Sequence, residues 1–217
     1  MSYIVNVWIN DPRLRRILDK IEMNPNLKQR YSSKWHKIVN FLYSNIDLKI
    51  RKVAQAGSLG KETANKRSDL DVIFCTSQDQ PKDSIMNVLY SKCYENFNKT
   101  AKISKGTDAI HIDYKEPFTK IDLVYLKQNE FDQEYKEIKN REQIFPQQRE
   151  AIIIVKYAFD KFLNGAIKGY EVEKACIELN CTALNLCTTS IVRYFSGRLS
   201  EKGFTVDRFV RKILNTR

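Results

Sequence analysis

The sequence predicts an α+β fold, in which a mixed β-sheet with flanking helices is followed by a C-terminal helical lobe. Up to residue 140, short apolar runs of strand length alternate with stretches of helical periodicity, and beyond it the periodicity is helical only. A chain of 217 residues is long enough for two small lobes with cores of their own. We therefore predict one lobe over residues 1–140 and a second over residues 141–217.

The first lobe is predicted to begin with helices and to continue with strands. Apolar residues recur at helical spacing over 11–47, and Asn24-Pro25-Asn26 divides that stretch into two helices. A polar loop is predicted over 57–66 and a further helix over 82–98. The predicted strands are 50–56, 70–75, 109–114 and 120–126, the last two joined by a hairpin turn at 115–118.

The second lobe is predicted to be entirely helical. Strong helical patterns cover 149–163 and 171–186, and Gly165 and Gly169 lie in the connection between them. A last amphipathic helix is predicted over 206–214.

Charge is the feature of the composition that bears most on function. The chain holds 37 lysines and arginines against 26 aspartates and glutamates, which gives a formal net charge of +11 and a pI of about 9.4. This excess favours a polyanionic partner, such as nucleic acid, nucleotide phosphates or an anionic membrane surface; a basic surface that only maintains solubility is the alternative. Hydrophobic residues at 42% and charged residues at 29% exclude a disordered or fibrous protein.

The cysteines and the apolar runs indicate the compartment. The five cysteines are odd in number and form no CxxC pair, which is typical of reduced intracellular thiols, and the two histidines lie apart from any cysteine cluster, which argues against a zinc site. Asp11 interrupts the N-terminal segment, and the longest later apolar run is 151–155. We therefore expect a protein of the cytoplasm, or of the nucleus in a eukaryotic cell, with no membrane partner.

The segment Ala56 to Phe74 carries the pattern that points to chemistry. Gly57 and Ser58 end one strand, a polar loop follows, and Asp69 and Asp71 open the next strand. Strand residues i and i+2 point to the same face, so the two carboxylates converge, which is costly unless a cation lies between them. Mg²⁺ commonly bridges carboxylates to substrate phosphates, and a glycine-serine turn offers phosphates a close backbone approach with amide and hydroxyl donors.

A third carboxylate is expected from a later strand, because two-metal phosphoryl chemistry uses one to bind the ion that activates the attacking hydroxyl. The neighbours of Asp122, in IDLVYL, predict a buried strand in which an unpaired carboxylate would need a function. Asp113, in IHIDY, is the rival, but it lies in an alternating, half-exposed strand where an acidic residue is ordinary. We therefore predict Asp122 as the third ligand.

Each aspartate by itself also has a structural explanation. Asp69 could cap a turn after Ser68, and Asp71 could pair with one of the many lysines. The combination of a Gly-Ser turn, a loop, Asp-x-Asp and a later strand aspartate is much more specific, and it favours a functional site.

The stretch GSLGKETANKRSDLD resembles the nucleotidyltransferase superfamily that includes DNA polymerase beta, CCA-adding enzymes, noncanonical poly(A) polymerases and cyclic GMP-AMP synthase. It looks most like the oligoadenylate synthase branch, in which a GS-x-GKGT loop precedes R-S-D-x-D, although poly(A) and uridylyl transferases share the same spacing. The sequence departs from that branch at Glu62, where glycine is usual. The resemblance is strong over residues 52–74 and implies a nucleotidyltransferase-type sheet.

The same resemblance implies roles for individual residues. Gly57 and Ser58 would hold the donor triphosphate, and the metal ligands would be Asp69, Asp71 and Asp122. Ser68, which directly precedes the first aspartate, is a further nucleotide-binding candidate. Lys61 in the phosphate loop is another, with a solvated loop lysine as the alternative.

Two helical segments resemble the superfamily more weakly. REAIIIVKYAFDKF and IKGYEVE look like its K-x-W and Y-x-L-E segments. By that resemblance Lys156 would neutralise the terminal charge of the triphosphate, or else it is a lysine that reaches solvent from a packed helix. Tyr170 would stack on a base or donate to a phosphate, or else it is a buried tyrosine at a helix start.

Together these features predict an enzyme, a metal-dependent nucleotidyltransferase. It would move NMP from an NTP, which by the resemblance is ATP, to a hydroxyl of RNA or of another nucleotide and release pyrophosphate, with Mg²⁺ or Mn²⁺ as cofactor. RNA is the expected macromolecular partner, and a partner subunit could supply further surface. The alternative is a non-catalytic nucleic-acid-binding or sensing member of the same fold, or a subunit of an RNA-processing complex.

Overall fold

The computed structural model describes residues 12–115, 119–139, 144–180 and 183–215. Its helices are α1 (Pro12–Ile21), α2 (Pro25–Ser44), α3 (Gly57–Gly60), α4 (Lys82–Phe97), α5 (Gln128–Lys139), α6 (Pro146–Leu163), α7 (Gly169–Leu179), α8 (Leu184–Tyr194), α9 (Ser196–Glu201) and α10 (Val206–Leu214). Its strands are β1 (Ile50–Gln55), β2 (Leu70–Thr76), β3 (Ala101–Lys105), β4 (Ile110–Tyr114) and β5 (Thr119–Tyr125).

The strands form one five-stranded mixed sheet in the order β1-β2-β5-β4-β3. Strands β2 and β5 run parallel at its centre, and the other neighbouring pairs are antiparallel. Because β2 and β5 are parallel, the chain between them must cross over, and α4, β3 and β4 form that crossover.

Helices cover the two faces of the sheet differently. Alternate residues of β2, such as Val72 and Phe74, point to the face covered by α2 and α4, where aromatic contacts link Phe41 to Phe97 and Phe97 to Tyr114. The opposite face carries Ile73, Cys75 and Val124 and packs against Phe131 and Ile138 of α5. The two faces are therefore distinct. Because successive strand residues point to opposite faces, the position of a residue in the strand decides which helices its side chain contacts.

Contacts divide the chain into two compact units. Of the described residues, those within 24–62 and 68–139 form the sheet unit, and those within 12–23, 63–67 and 144–215 form the helical unit. The helical unit thus includes α1 and a five-residue loop segment that the predicted boundary at residue 140 assigned to the first lobe.

The helical unit has a core of its own. Ile17 and Leu18 of α1 pack with the apolar residues of α6 to α10. Phe159 lies centrally and contacts Phe195 and Phe209, with ring centroids 5.5 and 5.3 Å apart.

The segment 63–67 joins the helical unit through backbone hydrogen bonds. The Lys66 amide donates to the Ile21 carbonyl at 2.8 Å, and Glu22 and Asn65 form an isolated bridge. Residues 63–65 are buried, so this part of the predicted polar loop is an interior segment, whereas Lys66 and Arg67 are exposed.

The predicted α+β class is confirmed, and most predicted elements are present. The helix break at residues 24–26 is confirmed, because the Asn24 side chain caps α2 by accepting from the Leu27 amide at 2.8 Å. The last helix has the predicted bounds, Val206–Leu214. The predicted hairpin turn includes residues 116–118, which lie outside the described ranges; the strands on either side of it do pair antiparallel.

Other predictions were wrong or incomplete. The single helix predicted over 171–186 is interrupted at Asn180, which has a left-handed φ of 44° and ends α7; a separate helix, Leu184–Tyr194, follows. The predicted loop 57–66 begins with the one-turn helix α3. The elements β3, α5 and α9 had not been predicted either.

No helix within the described ranges is both long enough and apolar enough to cross a bilayer.

Candidate active site

Strand pairing brings Asp71 and Asp122 together. They are register partners on the parallel strands β2 and β5, so their α-carbons lie about one strand spacing, roughly 4.8 Å, apart. Residue parity places both on the face that carries Ile73 and Val124, near the start of β2. Two carboxylates predicted from separate motifs therefore share one region of the sheet surface.

Asp69 lies beside Tyr31 of α2. The Tyr31 hydroxyl donates to the Ser68 carbonyl at 2.6 Å and so holds the turn that precedes β2. Burial, with a further contribution from the negative charge of Asp69, raises the pKa of Tyr31 to about 12. Asp69 itself directly precedes β2, which begins at Leu70, so the prediction that both aspartates lie within the strand is wrong for Asp69.

The Asp71 carboxylate lies against the backbone of Gly57. The Ala56 amide donates to the Asp71 carbonyl at 2.9 Å, which ties the end of β1 to the start of β2. A β-carbon on Gly57 would lie 1.8 Å from Asp71 Oδ2, and Gly57 has a φ of +56°. Both the close approach and the left-handed backbone require glycine, so the Gly57-Ser58 turn and the carboxylate fit together as one unit.

Asp122 is paired with His111 of β4. His111 Nδ1 is 2.7 Å from Asp122 Oδ1, and the two side chains are 37% and 28% exposed. The two residues are register partners on antiparallel strands. On its other side the imidazole approaches Gly106, where a β-carbon would lie 2.6 Å from His111 Nε2. The imidazole is thus held between a glycine and the carboxylate that it orients.

His111 was not predicted as a site residue. The available signal was the pairing of the two strands that flank the predicted hairpin turn, because that register sets His111 opposite Asp122. Composition and local periodicity carry no such information.

The reason given for choosing Asp122 over Asp113 was wrong, because β5 alternates buried and partly exposed residues just as β4 does. The register supplies a better reason. Asp113 is the partner of Lys120 and lies on β4, two strands from β2, whereas Asp122 is on the strand directly beside Asp71.

The carboxylate oxygens of the candidate site are suitable ligands for a hard divalent cation, although these side chains do not form a closed metal-binding cage. Among the described residues, no group of three or more histidine, cysteine, aspartate or glutamate side chains is arranged to hold a metal ion. Mg²⁺ needs no such cage, since it binds through one or two carboxylates and completes its octahedron with water and substrate phosphates. Asp71 in its glycine cradle and Asp122 on the next strand offer that kind of ligand.

Comparison with protein-family models finds no match, and comparison with curated proteins finds none. Comparison with solved structures does find similar folds. CdnC of E. coli MS115-1, solved with ATP, is 14% identical with a TM-score of 0.64, over 89% of this chain and 73% of that chain.

Two further structures with a similar fold are those of a poly(U) polymerase and of an RNA terminal U-transferase. The Cid1 poly(U) polymerase, bound to magnesium and 3′-dATP, is 10% identical with a TM-score of 0.61, over 84% of this chain and 72% of that chain. A cytoplasmic RNA terminal U-transferase is 11% identical with a TM-score of 0.57, over 84% and 70%. The chain has the DNA polymerase beta-like nucleotidyltransferase fold. The resemblance predicted from the Gly-Ser to Asp-x-Asp segment is thereby confirmed at the level of the fold.

Within this nucleotidyltransferase fold, Lys156 lies in the helical unit and forms a buried ion pair. Its Nζ is 2.9 Å from Glu173 Oε1 and 3.4 Å from Thr63 Oγ1, and its side chain is 11% exposed. The Thr63 hydroxyl donates to the same carboxylate oxygen at 2.7 Å. Of the two interpretations drawn from sequence, a lysine reaching solvent from a packed helix is wrong; the triphosphate role stays a prediction.

The remaining predicted residues are placed as follows. Tyr170, the second residue of α7, is 67% exposed, so the alternative of a buried tyrosine is wrong. Lys61 follows α3, and its amide donates to the Gly57 carbonyl at 3.1 Å. Ser58 and Ser68 are both partly exposed in the sheet unit. Binding of nucleotide by these four residues stays a prediction.

Proposed function

We propose that this chain is a metal-dependent nucleotidyltransferase. It would transfer NMP from an NTP, with ATP as the preferred donor, to a hydroxyl of RNA or of another nucleotide and release pyrophosphate. The observation that carries the proposal is the register of Asp71 with Asp122 on neighbouring parallel strands. Beside them lies a turn whose backbone requires glycine at position 57. The nucleotidyltransferase fold of the chain supports it.

Asp69, Asp71 and Asp122 would hold Mg²⁺ or Mn²⁺. When bound, such a cation neutralises the phosphate charge that opposes attack and lowers the pKa of the acceptor hydroxyl.

The residues of the chain supply position and orientation. Gly57 lets a phosphate approach the backbone closely, and Ser58 adds a hydroxyl and an amide donor in the same turn. His111 orients the Asp122 carboxylate by contacting one of its oxygens. The other oxygen would then act as the metal ligand. Tyr31 holds the Ser68 carbonyl and so the turn that carries Asp69.

The reaction is a displacement at the α-phosphorus. A bond forms between the acceptor oxygen and the α-phosphorus, and the bond from that phosphorus to the β-bridging oxygen breaks. Pyrophosphate leaves, and the proton of the acceptor hydroxyl passes to solvent. Most of the acceleration would come from positioning and from charge neutralisation.

The test is incubation with each labelled NTP and Mg²⁺ or Mn²⁺, with and without RNA, followed by sizing of the products. An RNA lengthened at its 3′ end identifies a terminal transferase, and short oligomers made from ATP alone identify an oligonucleotide synthase. No product from any NTP under these conditions would overturn the proposal in favour of a non-catalytic nucleic-acid-binding protein.

Asp122→Asn and Asp113→Asn form a matched pair for the same assay. Both remove one negative charge from neighbouring strands of the same sheet. We expect Asp122→Asn to reduce turnover by about a hundredfold or more, because each orienting or electrostatic contribution of this type is worth that much. Asp113→Asn should keep wild-type turnover, and the reverse result would exchange the third ligand.

A further inference from the structure

A basic groove of about 590 Å³ lies on the helical unit, far along the chain from the carboxylates. Lys161 and Phe162 at the end of α6 line one side, and Arg208, Arg211 and Lys212 of α10 line the other, with Phe204 before that helix. Residues 208, 211 and 212 are spaced by three and four, so they share one face of α10. All four cationic residues are exposed, so they present a concentrated positive charge to solvent.

Aromatic rings hold these cations in place. Lys212 Nζ is 4.6 Å from the centroid of Phe162 and 4.9 Å from that of Phe204. Lys161 Nζ is 5.5 Å from Phe162, and the Arg208 guanidinium carbon is 5.6 Å from Phe204. Each distance is within the range of a cation–π interaction, so the two rings orient three cations around one groove.

The rings themselves are anchored. Phe162 and Phe204 both pack edge-on against Phe209, with centroids 6.1 and 5.4 Å away, and Phe209 is fully buried in the core of the unit. A cation held over an anchored ring loses less freedom when it binds an anion than a free surface lysine does. The groove is therefore preorganised for a polyanion.

We propose that this groove binds the phosphate backbone of a single-stranded nucleic acid. Its four cations can neutralise several phosphates that lie close together. A single strand is flexible enough to place neighbouring phosphates in so small a groove. The cations lie over the ring faces, so the groove lacks the exposed apolar face that insertion into a membrane requires. Recognition through phosphates alone predicts binding that depends little on base sequence.

The inference rests on the proposed function only in taking this strand to be the acceptor of the nucleotidyl group. Binding itself is measured without NTP and with a metal chelator. If the protein binds the strand but transfers no nucleotide, the proposed function alone is overturned. If it transfers nucleotide but the groove residues do not contribute to binding of the strand, this inference alone is overturned.

The experiment measures fluorescence anisotropy of a labelled strand of about 12 nucleotides, as RNA and as DNA, over a range of salt. Four neutralised phosphates give a log–log slope of about −2.8, so affinity should fall about fiftyfold between about 50 and about 200 mM salt. In the double variant Arg208→Gln with Arg211→Gln, the slope should become shallower by about 1.4. The two remaining groove cations should then give a fall in affinity of only about sevenfold over the same salt range. RNA and DNA should behave alike if only phosphates are read.

The matched control is Lys99→Gln with Lys102→Gln, which removes the same charge from two exposed lysines of the sheet unit. We expect the control to keep the wild-type slope, and thermal melting should show that both double variants are folded. Equal slopes for the two double variants would overturn the proposal. So would an absence of binding to either strand at low salt, or tighter binding to phosphatidylserine vesicles than to the strands.

Discussion

The Lys156 ammonium and the Glu173 carboxylate lie 2.9 Å apart in the helical unit, both about nine-tenths buried. A β-carbon on Gly169 would lie 2.7 Å from Lys156 Cε, so this glycine leaves room for the lysine stem. Two charges in such a place are tolerated because each compensates the other and Thr63 supplies a further hydrogen bond to the carboxylate.

Removing one partner of this pair should be far more costly than removing both. We expect Lys156→Met or Glu173→Leu to lower the free energy of unfolding by about 3 kcal/mol, because each leaves an uncompensated buried charge. The double variant should be more stable than either single variant. Urea denaturation of the three proteins measures these differences.

The control for this pair is Arg67–Asp160 in the same unit, whose side chains are both 53% exposed. Asp160→Leu should change the free energy of unfolding by less than about 1 kcal/mol. Additive effects of the Lys156 and Glu173 substitutions would contradict the coupling. A loss of ATP affinity in a folded Lys156→Met protein would support the predicted triphosphate role of this lysine.

Tyr31 should make the stability of the sheet unit depend on alkaline pH. Its folded-state pKa of about 12 is above its ordinary value of 10.0, so the unfolded chain loses the phenolic proton first as pH rises. This stabilisation is complete below pH 10 and is lost between about pH 10 and pH 12, and it amounts to on the order of 2 kcal/mol.

Denaturation in urea at several alkaline pH values tests this effect. Tyr31→Phe should reduce the loss of stability above pH 10, whereas the same substitution at Tyr43, which is 50% exposed, should leave it as in wild type. The buried Tyr114, whose pKa is also raised to about 12 by burial, accounts for a further share of the wild-type loss. An unchanged pH profile in Tyr31→Phe would show that burial and Asp69 do not perturb this tyrosine.

At the scale of elements, the turn after β1 depends on two glycines for different reasons. Gly57 has a left-handed φ and faces the Asp71 carboxylate, whereas Gly60, the last residue of α3, lies against the Gln55 carbonyl at the end of β1. Glu62, which follows, also has a left-handed φ of 59° at the position where the resembling branch usually has glycine. The backbone strain of this turn therefore lies at Glu62, after α3, and not at Gly57, where a left-handed φ costs little.

Gly60→Ala should destabilise the fold because its β-carbon would lie 2.3 Å from the Gln55 carbonyl oxygen, a backbone atom that cannot move aside. We expect a loss of about 2 kcal/mol in the free energy of unfolding. Gly197 in α9 is the matched control, since nothing lies within 4 Å of a β-carbon there. Gly197→Ala should instead stabilise the fold by about 0.5 kcal/mol. Thermal melting of both variants tests this, and a Gly60→Ala protein that melts at or above the temperature of Gly197→Ala would contradict it.

At the scale of the whole molecule, a formal charge of +11 coexists with the neighbouring carboxylates of Asp71 and Asp122. The general excess attracts a nucleotide, while the carboxylates of the candidate site repel its phosphates. A divalent cation and an NTP should consequently bind cooperatively, since each neutralises charge that opposes the other.

Calorimetry should show ATP binding at least about tenfold more tightly with Mg²⁺ than with a chelator. Asp69→Ala with Asp71→Ala should remove that difference while leaving the protein folded, because both residues are partly exposed. Equal wild-type affinity in the two conditions would contradict the assignment of these residues as metal ligands.

The sequence alone determined those features that depend on neighbours along the chain. The Asn24-Pro25 pair ended one helix and began the next, and the Gly-Ser turn marked the loop before the aspartates. These features follow from backbone geometry over a few residues, and they sufficed to predict the α+β class. The period of two reached less far, because β2 begins at Leu70 and so contains Asp71 but not Asp69.

The tertiary structure decided what depends on pairing between distant segments. Only the order β1-β2-β5-β4-β3 makes Asp122 the neighbour of Asp71, and only the β4–β5 register brings His111 to Asp122. Burial of the Lys156 ammonium likewise depends on Glu173 from another helix. Local periodicity cannot supply these facts, because strand order, register and charge pairing are set by contacts between residues far apart in the chain.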